Sequence, residues 1–498
     1  MSNHQQIQIG VIKSSLFVII LTFLASSFAY LTRVLLSRTL SVESYGLFYA
    51  VFGLFTIVTT YIDLGFGYSI IYLLPKYIKQ KNYSKAWNIF AYGQLITLCV
   101  SLIISVVLII FGSSLSRNYF KVPGSEILIY IFCAYLISFT MIYSLTQAFG
   151  GLQKEKYYSS IAFIRWFLTV IFLFFFFIFG FSNIVYYAIA FALGHILTAT
   201  VYLFLFFKKH KFLSSNKVTW EVLTVKEMLT FSLPFLLETI VYSLVLIGDN
   251  FFLMLFRGVK EVGIYNIIYP LSSIPIMLIN PLTTLILPLV SHLMKGEKEK
   301  LRYLLEKILQ IFPFIGLYFS LFIIIFPSSL VSLIFGQKWL GLVEVPLIIL
   351  CLGTTSILMS VILGAITLGT GEVRKKLKAT FFASVVDLSL NAFLIWKYGV
   401  IGAVITTSLF ALMLCFLFTR IIKRAIEFQI PYFFYLKLIL FSAAFYLAAK
   451  YINIQINNWF ELIFFGFLYT IIYVVFGYIL KLYNKQLITI IFSGRNTY

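Results

Sequence analysis

The run YGLFYAVFGLFTIVTTYIDLGFGYSIIYLL, residues 45–74, contains a single charged residue, Asp63. About 20 apolar residues in a helix cross the hydrocarbon core of a bilayer, so this run is long enough to span a membrane with residues to spare. Gly65 and Gly67 follow Asp63, and glycines at such a depth favour a bend or break. The run therefore predicts a membrane helix that is interrupted beside an acid.

The same apolar character extends over the whole chain. Of its 498 residues 61% are hydrophobic and only 11% are charged, whereas about a quarter of the residues of a soluble domain are charged. About fourteen runs are long enough to span a membrane: 14–37, 45–74, 87–112, 127–149, 160–180, 184–207, 228–256, 262–290, 308–326, 343–368, 379–396, 400–421, 432–449 and 459–480. Lipid offers no partner for backbone polar groups, so all of them should be helices. The predicted class is an all-α polytopic membrane protein.

The net charge of +21 would suggest a nucleic-acid partner in a soluble protein. Here most of the 38 Lys and Arg fall in loops on one side of the membrane if the N-terminus is cytoplasmic, and such an excess marks the inner side. We therefore expect both termini to be cytoplasmic and the cations to meet anionic lipid, with no nucleic acid as partner. The four cysteines lie within apolar runs without paired spacing, so no disulfide framework or metal site is expected.

A polar connection divides the chain into lobes. We expect an N-terminal lobe of six spans at 1–210, a cytoplasmic linker at 211–227, a second six-span lobe at 228–425, and two further spans with a cytoplasmic tail at 426–498. A shift of 217 residues aligns Val42 and Gly46 with Val259 and Gly263. The lobes would then be parallel repeats, as in several transporter folds.

The same shift brings Asp63 onto Asn280, which precedes Pro281. Interrupted helices at corresponding positions of two repeats point to the central site of a transporter. We therefore predict helix breaks at Gly65, Gly67 and Pro281. The alternative is that these residues only shape two long packed helices.

Buried acids are the candidates for ion coupling. The three aspartates, Asp63, Asp249 and Asp387, all lie inside apolar runs, where an ionised aspartate costs about 2.5–3.5 kcal/mol. Asp63, Asp387 and Glu238 lie deep in the membrane and are predicted to bind Na⁺ or H⁺. Asp249 lies close to the outer face, where it could pair with Arg33 as an outer gate. The alternative for each polar stripe is hydrogen bonding between helices.

Two more polar side chains have two interpretations each. Arg165 could extend to the inner interface or contact an anionic head group inside the first lobe. His195 could relay protons or be a hydrogen-bonded packing residue. The chain has no phosphate-binding loop of the ATPase type, so it should not use ATP directly.

Short motifs give the chain a resemblance to a known family. They are SYG at 44–46, DLG at 63–65, LP at 233–234, GDN at 248–250, EVGIY at 261–265, LP at 287–288, FG at 335–336, LN at 390–391 and YGVIGA at 398–403. In these the chain resembles the Wzx-type polysaccharide flippases of the multidrug/oligosaccharidyl-lipid/polysaccharide exporter superfamily.

The resemblance implies a MATE-like fold that works by alternating access in the cytoplasmic membrane of a prokaryote. It implies flipping of a polyprenyl-pyrophosphate-linked oligosaccharide to the outer leaflet, driven by an ion gradient, with no cofactor and no enzymatic activity. The expected partners are membrane lipid, the lipid-linked oligosaccharide, and a glycan polymerase or glycosyltransferases. Lumen cations of such proteins meet the anionic head group, which makes Arg33, Arg165, Asn280 and Asn391 the head-group and substrate candidates.

Two other functions stay open. A multidrug or cation antiporter of the same superfamily would use the buried acids to hold organic cations. A membrane glycan polymerase is less favoured, because the outer loops contain no aspartate and no domain-sized insertion.

Overall fold

Helices make up nearly all of the regular structure. The computed structural model describes residues 3–181, 183–214, 218–452, 456–480 and 482, apart from the side chains at 3–16, 214, 234–235, 237–247, 281–282 and 284–285. These described ranges contain no β-strand, and every predicted apolar run is helical over most of its length, with the runs 45–74 and 262–290 each divided between two helices. The predicted all-α class is confirmed.

The chain forms two compact units, residues 1–263 and 264–498. The helices of the first are α1 (Asn3–Thr39), α2 (Val42–Ile62), α3 (Phe66–Lys79), α4 (Tyr83–Ile110), α5 (Gly112–Ser114), α6 (Glu126–Gly151), α7 (Glu155–Ile178), α8 (Ile184–Lys209), α9 (Lys211–Ser214) and α10 (Val222–Arg257), with a π-helical turn at Leu115–Tyr119. Here α6 packs against α4 and α8, and α7 against α1 and α8. Helix α10 belongs to this unit because it packs against α2, α3 and α4.

Helix α11 (Val259–Ser272) contains the boundary between the units. The second unit continues with α12 (Ile274–Leu293), α13 (Lys298–Ile325), α14 (Pro327–Phe335), α15 (Glu344–Gly369), α16 (Val373–Tyr398), α17 (Val400–Ala425), α18 (Tyr432–Ile452) and α19 (Trp459–Ile479), with a 3₁₀ turn at Gln337–Trp339. Its core is formed by α12, α13, α15 and α17. The lobe boundary predicted at 211–227 stays a prediction, and the compact units divide some 40 residues later.

The chain is a multi-pass membrane protein. Among the described residues, 12 helices are long and apolar enough to cross a membrane, and α11 with the first part of α12 gives a thirteenth as a bent pair. The seventh predicted run lies on α10, a helix of 36 residues that includes many of the side chains outside the described set.

The interruption beside Asp63 is a short left-handed turn. Helix α2 ends at Ile62, and the backbone φ angles of Leu64 and Gly65 are 48° and 78°. A positive φ is costly for leucine and readily adopted by glycine. Gly67 lies in the first turn of α3, so the predicted break at Gly67 is wrong.

The second interruption lies at Ser273, where α11 and α12 meet at 49°. Pro275 has no N–H to donate to the carbonyl of Leu271, and its ring clashes with that carbonyl in a continuous helix. Helix α12 remains helical across residue 281. The break predicted at Pro281 is therefore wrong in position, and the side chain of Pro281 lies outside the described set.

Two glycines paired by the 217-residue shift lie against each other. A Cβ on Gly46 would overlap the carbonyl oxygen of Val259, and a Cβ on Gly263 would lie 3.1 Å from the carbonyl oxygen of Val42. The contact is reciprocal, because each glycine faces the carbonyl of the residue that opens the other helix. Small residues allow such close approach of membrane helices.

We expect Gly46→Ala to destabilise the protein by about 1–3 kcal/mol, because the added methyl group meets backbone that must shift. Thermal unfolding of purified protein in detergent would show a lowered transition temperature. Gly296→Ala is the control, since a Cβ there meets nothing within 4 Å. An unchanged transition for Gly46→Ala would contradict the close contact.

Candidate functional site

Asp63 lies at the left-handed turn, and its carboxylate bonds to the backbone of α3. Its Oδ1 and Oδ2 accept from the N–H of Gly67 at 3.0 and 3.1 Å. A free N–H at a helix start in lipid would be costly, and a carboxylate there also favours the positive end of the helix dipole. The phenol of Tyr143 on α6 is a further neighbour of the carboxylate. Asp63 therefore has a structural role whether or not it binds an ion.

Asp387 lies in a buried polar cluster between α16 and α17. The residue is 3% exposed, and its Oδ2 accepts from Asn391 Nδ2 at 3.1 Å. The amide oxygen of Asn391 accepts in turn from the hydroxyl of Thr406 on α17, which also reaches the carbonyl of Ala403 at 2.8 Å. The structure thus joins two predicted residues to one that the sequence analysis missed.

The close approach of α16 and α17 makes this cluster possible. Gly399, with φ 60°, turns the chain between the two helices. A Cβ on Gly402 would overlap the backbone carbonyl of Leu394, so only glycine fits at this crossing. Thr406 follows Gly402 by one helical turn and therefore faces Asn391. The family-like YGVIGA motif supplies both glycines.

Arg33 lies among tyrosines of the first unit. Its guanidinium is 4.7 Å from the ring centre of Tyr49, and Tyr30 and Tyr45 are further neighbours. Arg33 also lines a cavity of about 90 Å³ together with Tyr49 and Trp166. Such a cavity has room for a few water molecules and not for a sugar. Its pairing with Asp249 stays a prediction.

Arg165 lies on α7, inside the first bundle, near Tyr135 and His195. Its Nε is buried and has no hydrogen-bond partner among the described residues. His195 is buried, its Nδ1 lies 2.8 Å from the carbonyl of Phe191, and its ring packs edge-on against Tyr135 at 4.7 Å. This bond to its own helix suits a packing histidine.

The remaining candidates fall in different places. Asp249 is buried on α10, beside Asn250, whose Cβ lies 3.7 Å from the Cβ position of Gly53 on α2. Asn280 is exposed on α12. The side chain of Glu238 lies outside the described set. The structure therefore places Asp63, Arg33, Arg165 and Asp249 in the first unit, and Asn280, Asp387 and Asn391 in the second.

Sequence analysis missed those neighbours that come from other helices. These neighbours are Thr406, Tyr143, and Tyr45 and Tyr49, which lie on α2 beside Arg33. Each is an ordinary residue for a membrane helix and becomes notable only through contact. Thr406 alone had a signal, because it follows the Gly402 of a family-like motif by one turn.

Comparison with known proteins defines the class. Residues 11–294 match the family model described as "Polysaccharide biosynthesis protein", and the chain belongs to this family. It is 24% identical over 401 residues, 77% of this chain and 78% of the relative, to an uncharacterized membrane protein of Methanocaldococcus jannaschii. It is 29% identical over 153 residues, 30% of this chain and 38% of the relative, to the capsular polysaccharide biosynthesis protein CapF of Staphylococcus aureus.

Solved structures share the fold. The lipid II flippase MurJ in an inward closed conformation matches with a TM-score of 0.73 at 16% identity, over 93% of this chain and 99% of that one. An inward-facing multidrug resistance MATE family transporter of the MOP superfamily matches with a TM-score of 0.69 at 16% identity, over 82% of this chain and 98% of that one. These likenesses confirm the predicted MATE-like fold.

We expect Asp63→Ala to lower the stability of the protein in detergent by about 1–2 kcal/mol, because the N–H of Gly67 loses its partner. Asp63→Asn keeps an acceptor and should unfold near the wild-type temperature. Thermal unfolding would measure both. Thr56→Val is the control, since the one partner of the Thr56 hydroxyl within the described residues is the carbonyl of Phe52 in its own helix. An Ala variant as stable as wild type would refute the capping role.

Proposed function

We propose that this protein is a flippase that moves a polyprenyl-pyrophosphate-linked oligosaccharide from the inner to the outer leaflet by alternating access. Membership in the polysaccharide biosynthesis family carries the proposal. The fold shared with a lipid II flippase over nearly the whole chain supports it. On this proposal the protein is a transporter with no enzymatic activity, and a glycan polymerase or glycosyltransferases act on the same substrate before or after it.

Asp387, Asn391 and Thr406 form the proposed ion-coupling site. They bring a carboxylate, an amide oxygen and a hydroxyl together in a buried place, and such hard oxygens suit Na⁺. A proton on Asp387 would also remove the cost of a buried charge. Binding of either ion drives transport only if its affinity differs between the inward-open and outward-open states.

The arginines and Asp63 have other roles in this proposal. Arg165, inside the first bundle with a buried Nε, is the better candidate for the anionic pyrophosphate, because guanidinium groups bind phosphate oxygens in pairs. Arg33 is already enclosed by tyrosine rings and fits a gating role with Asp249. Asp63 is the weaker coupling candidate, since its carboxylate holds the start of α3. Asn280 and Glu238 remain candidates for substrate and ion.

Reconstitution in liposomes tests the transport proposal. A fluorescent undecaprenyl-pyrophosphate-linked oligosaccharide is incorporated, and its exposure to an external quencher is followed with and without a Na⁺ or proton gradient. We expect gradient-stimulated flipping by wild type. Asp387→Asn should abolish the stimulation, because the neutral amide no longer gains from binding a cation or proton.

Asp249→Asn is the matched control for Asp387→Asn. It also neutralises a buried aspartate, so whatever flipping it retains should still respond to the gradient. Full gradient response in Asp387→Asn would remove that residue from coupling. No flipping of any lipid-linked glycan by well-folded wild type would overturn the transport proposal itself.

A multidrug or cation antiporter is the second candidate, favoured by the likeness to a MATE transporter. The nearness of Tyr143 to Asp63 is the kind of aromatic contact that an organic cation uses. Uptake of ethidium into the same proteoliposomes in exchange for Na⁺ or protons would support the antiporter. Flipping of the lipid-linked oligosaccharide without such uptake would support the flippase.

We further propose that the protein lies in the cytoplasmic membrane of a prokaryote with both termini inside, which the distribution of Lys and Arg supports. Single cysteines test this in a background with the four native cysteines replaced by alanine. A membrane-impermeant maleimide should label Asn118→Cys in intact cells and Lys81→Cys only after permeabilisation. The reverse pattern would invert the topology.

A further inference from the structure

A groove of about 540 Å³ lies between α3 and α10 in the first unit. Tyr72 and Lys76 line it from α3, and Leu223, Lys226, Glu227 and Phe231 line it from α10. None of these residues belongs to the coupling site or to the arginine sites described above.

The two walls of the groove are held at a fixed distance. The hydroxyl of Ser69 on α3 donates to the carbonyl of Met228 at 2.7 Å and lies 2.7 Å from the hydroxyl of Ser232. Gly65 lies against Ser232 as well, because a Cβ on Gly65 would be 2.8 Å from its Cβ. The groove is therefore a built feature of the packing of α3 on α10.

One end of the groove carries an excess of positive charge. Glu227 pairs with Lys85 at 3.0 Å and with Lys76 at 3.4 Å, and it accepts a hydrogen bond from the Tyr77 hydroxyl at 2.7 Å. Lys226 is exposed and has no carboxylate within 4.0 Å among the described residues. This end of the groove thus has three lysines and one glutamate, so it attracts an anion.

The rest of the groove is apolar and open. Tyr72 stacks on Phe231 with ring centres 4.5 Å apart, and Tyr72 is still 57% exposed. Phe231 is partly exposed as well. Such exposure of large apolar side chains suits contact with hydrocarbon rather than water.

The charged end of the groove lies at the ends of α3, α4 and α10. Lys76 lies in the last turn of α3, Lys85 in the first turn of α4, and Lys226 near the start of α10. Trp220, 66% exposed, lies just before α10, and tryptophan is enriched at the head-group level of membranes. The groove therefore passes from the head-group layer into the acyl layer.

We propose that this groove binds an anionic phospholipid of the surrounding membrane, distinct from any lipid that the protein transports. The lipid phosphate lies against Lys226 and Lys76, and an acyl chain lies along Tyr72 and Phe231. Charge complementarity selects the anionic head group, and a lysine near the membrane surface strengthens such binding about fivefold. A volume of about 540 Å³ is in the range of small-ligand sites, enough for the head group and the first part of a chain.

Native mass spectrometry of the purified full chain tests the proposal. The protein is titrated with dioleoyl phosphatidylglycerol and, separately, with dioleoyl phosphatidylcholine, which has the same chains and no net charge. We expect wild type to bind the first phosphatidylglycerol more tightly. Lys226→Gln should lower that affinity about fivefold and leave phosphatidylcholine binding unchanged, whereas Lys226→Arg should retain it.

Two variants are controls for position and for the apolar part. Lys208→Gln removes an exposed lysine at the end of α8 and should change neither lipid. Tyr72→Ser should weaken the binding of both lipids, because they share their chains.

Equal binding of the two lipids by wild type, or an equal effect of Lys208→Gln and Lys226→Gln, would overturn the proposal. Displacement of phosphatidylglycerol by equimolar glycerol 3-phosphate would show a site for a soluble phosphate ester instead. The assay measures no flipping, so its outcome is independent of the proposed transport function.

Discussion

Every backbone polar group inside a membrane needs a partner within the protein, and this constraint governs the fold. It makes every long apolar run a helix. It also makes each interruption costly, so the turn after α2 is closed by the Asp63 carboxylate, which accepts from the first turn of α3. Hydroxyls along the spans mostly donate to carbonyls one turn back in their own helix, as Thr56 and Ser384 do.

The same constraint distinguishes polar residues that bond to backbone from those that bond to other side chains. Asp63 and His195 bond to nearby backbone, and those bonds offset the cost of burying a polar side chain in the membrane. Asp387 differs, because its neighbours Asn391 and Thr406 are side chains held by two helices. A side-chain cluster can exchange one partner for an ion without breaking a helix. For this reason Asp387 is the stronger candidate for coupling.

Close helix contacts at glycine place these groups. Gly46 and Gly263, which the 217-residue shift aligns, bring two backbones together, and Gly402 does the same beside the Asp387 cluster. A Cβ on Gly46 or Gly402 would overlap the backbone of the facing segment, and a Cβ on Gly263 would be in tight contact at 3.1 Å. The family-like motifs at 44–46, 261–265 and 398–403 thus include positions of close helix approach.

The sequence by itself determined the class, the helices, the likeness to polysaccharide flippases and the acids inside apolar runs. The class, the helices and the buried acids follow from composition and hydropathy, which act locally along the chain, whereas the likeness to polysaccharide flippases rests on short motifs that resemble that family. The sequence also indicated the break beside Gly65. It placed the second break at Pro281, whereas the helix bends at Ser273, two residues before Pro275. Whether a proline interrupts a helix depends on the backbone around it, which the sequence alone does not show. Only the tertiary structure decided that Thr406 reaches Asn391, that tyrosines enclose Arg33, and that α3 and α10 form a basic groove. Those contacts join residues far apart in sequence, and their distances depend on how helices pack.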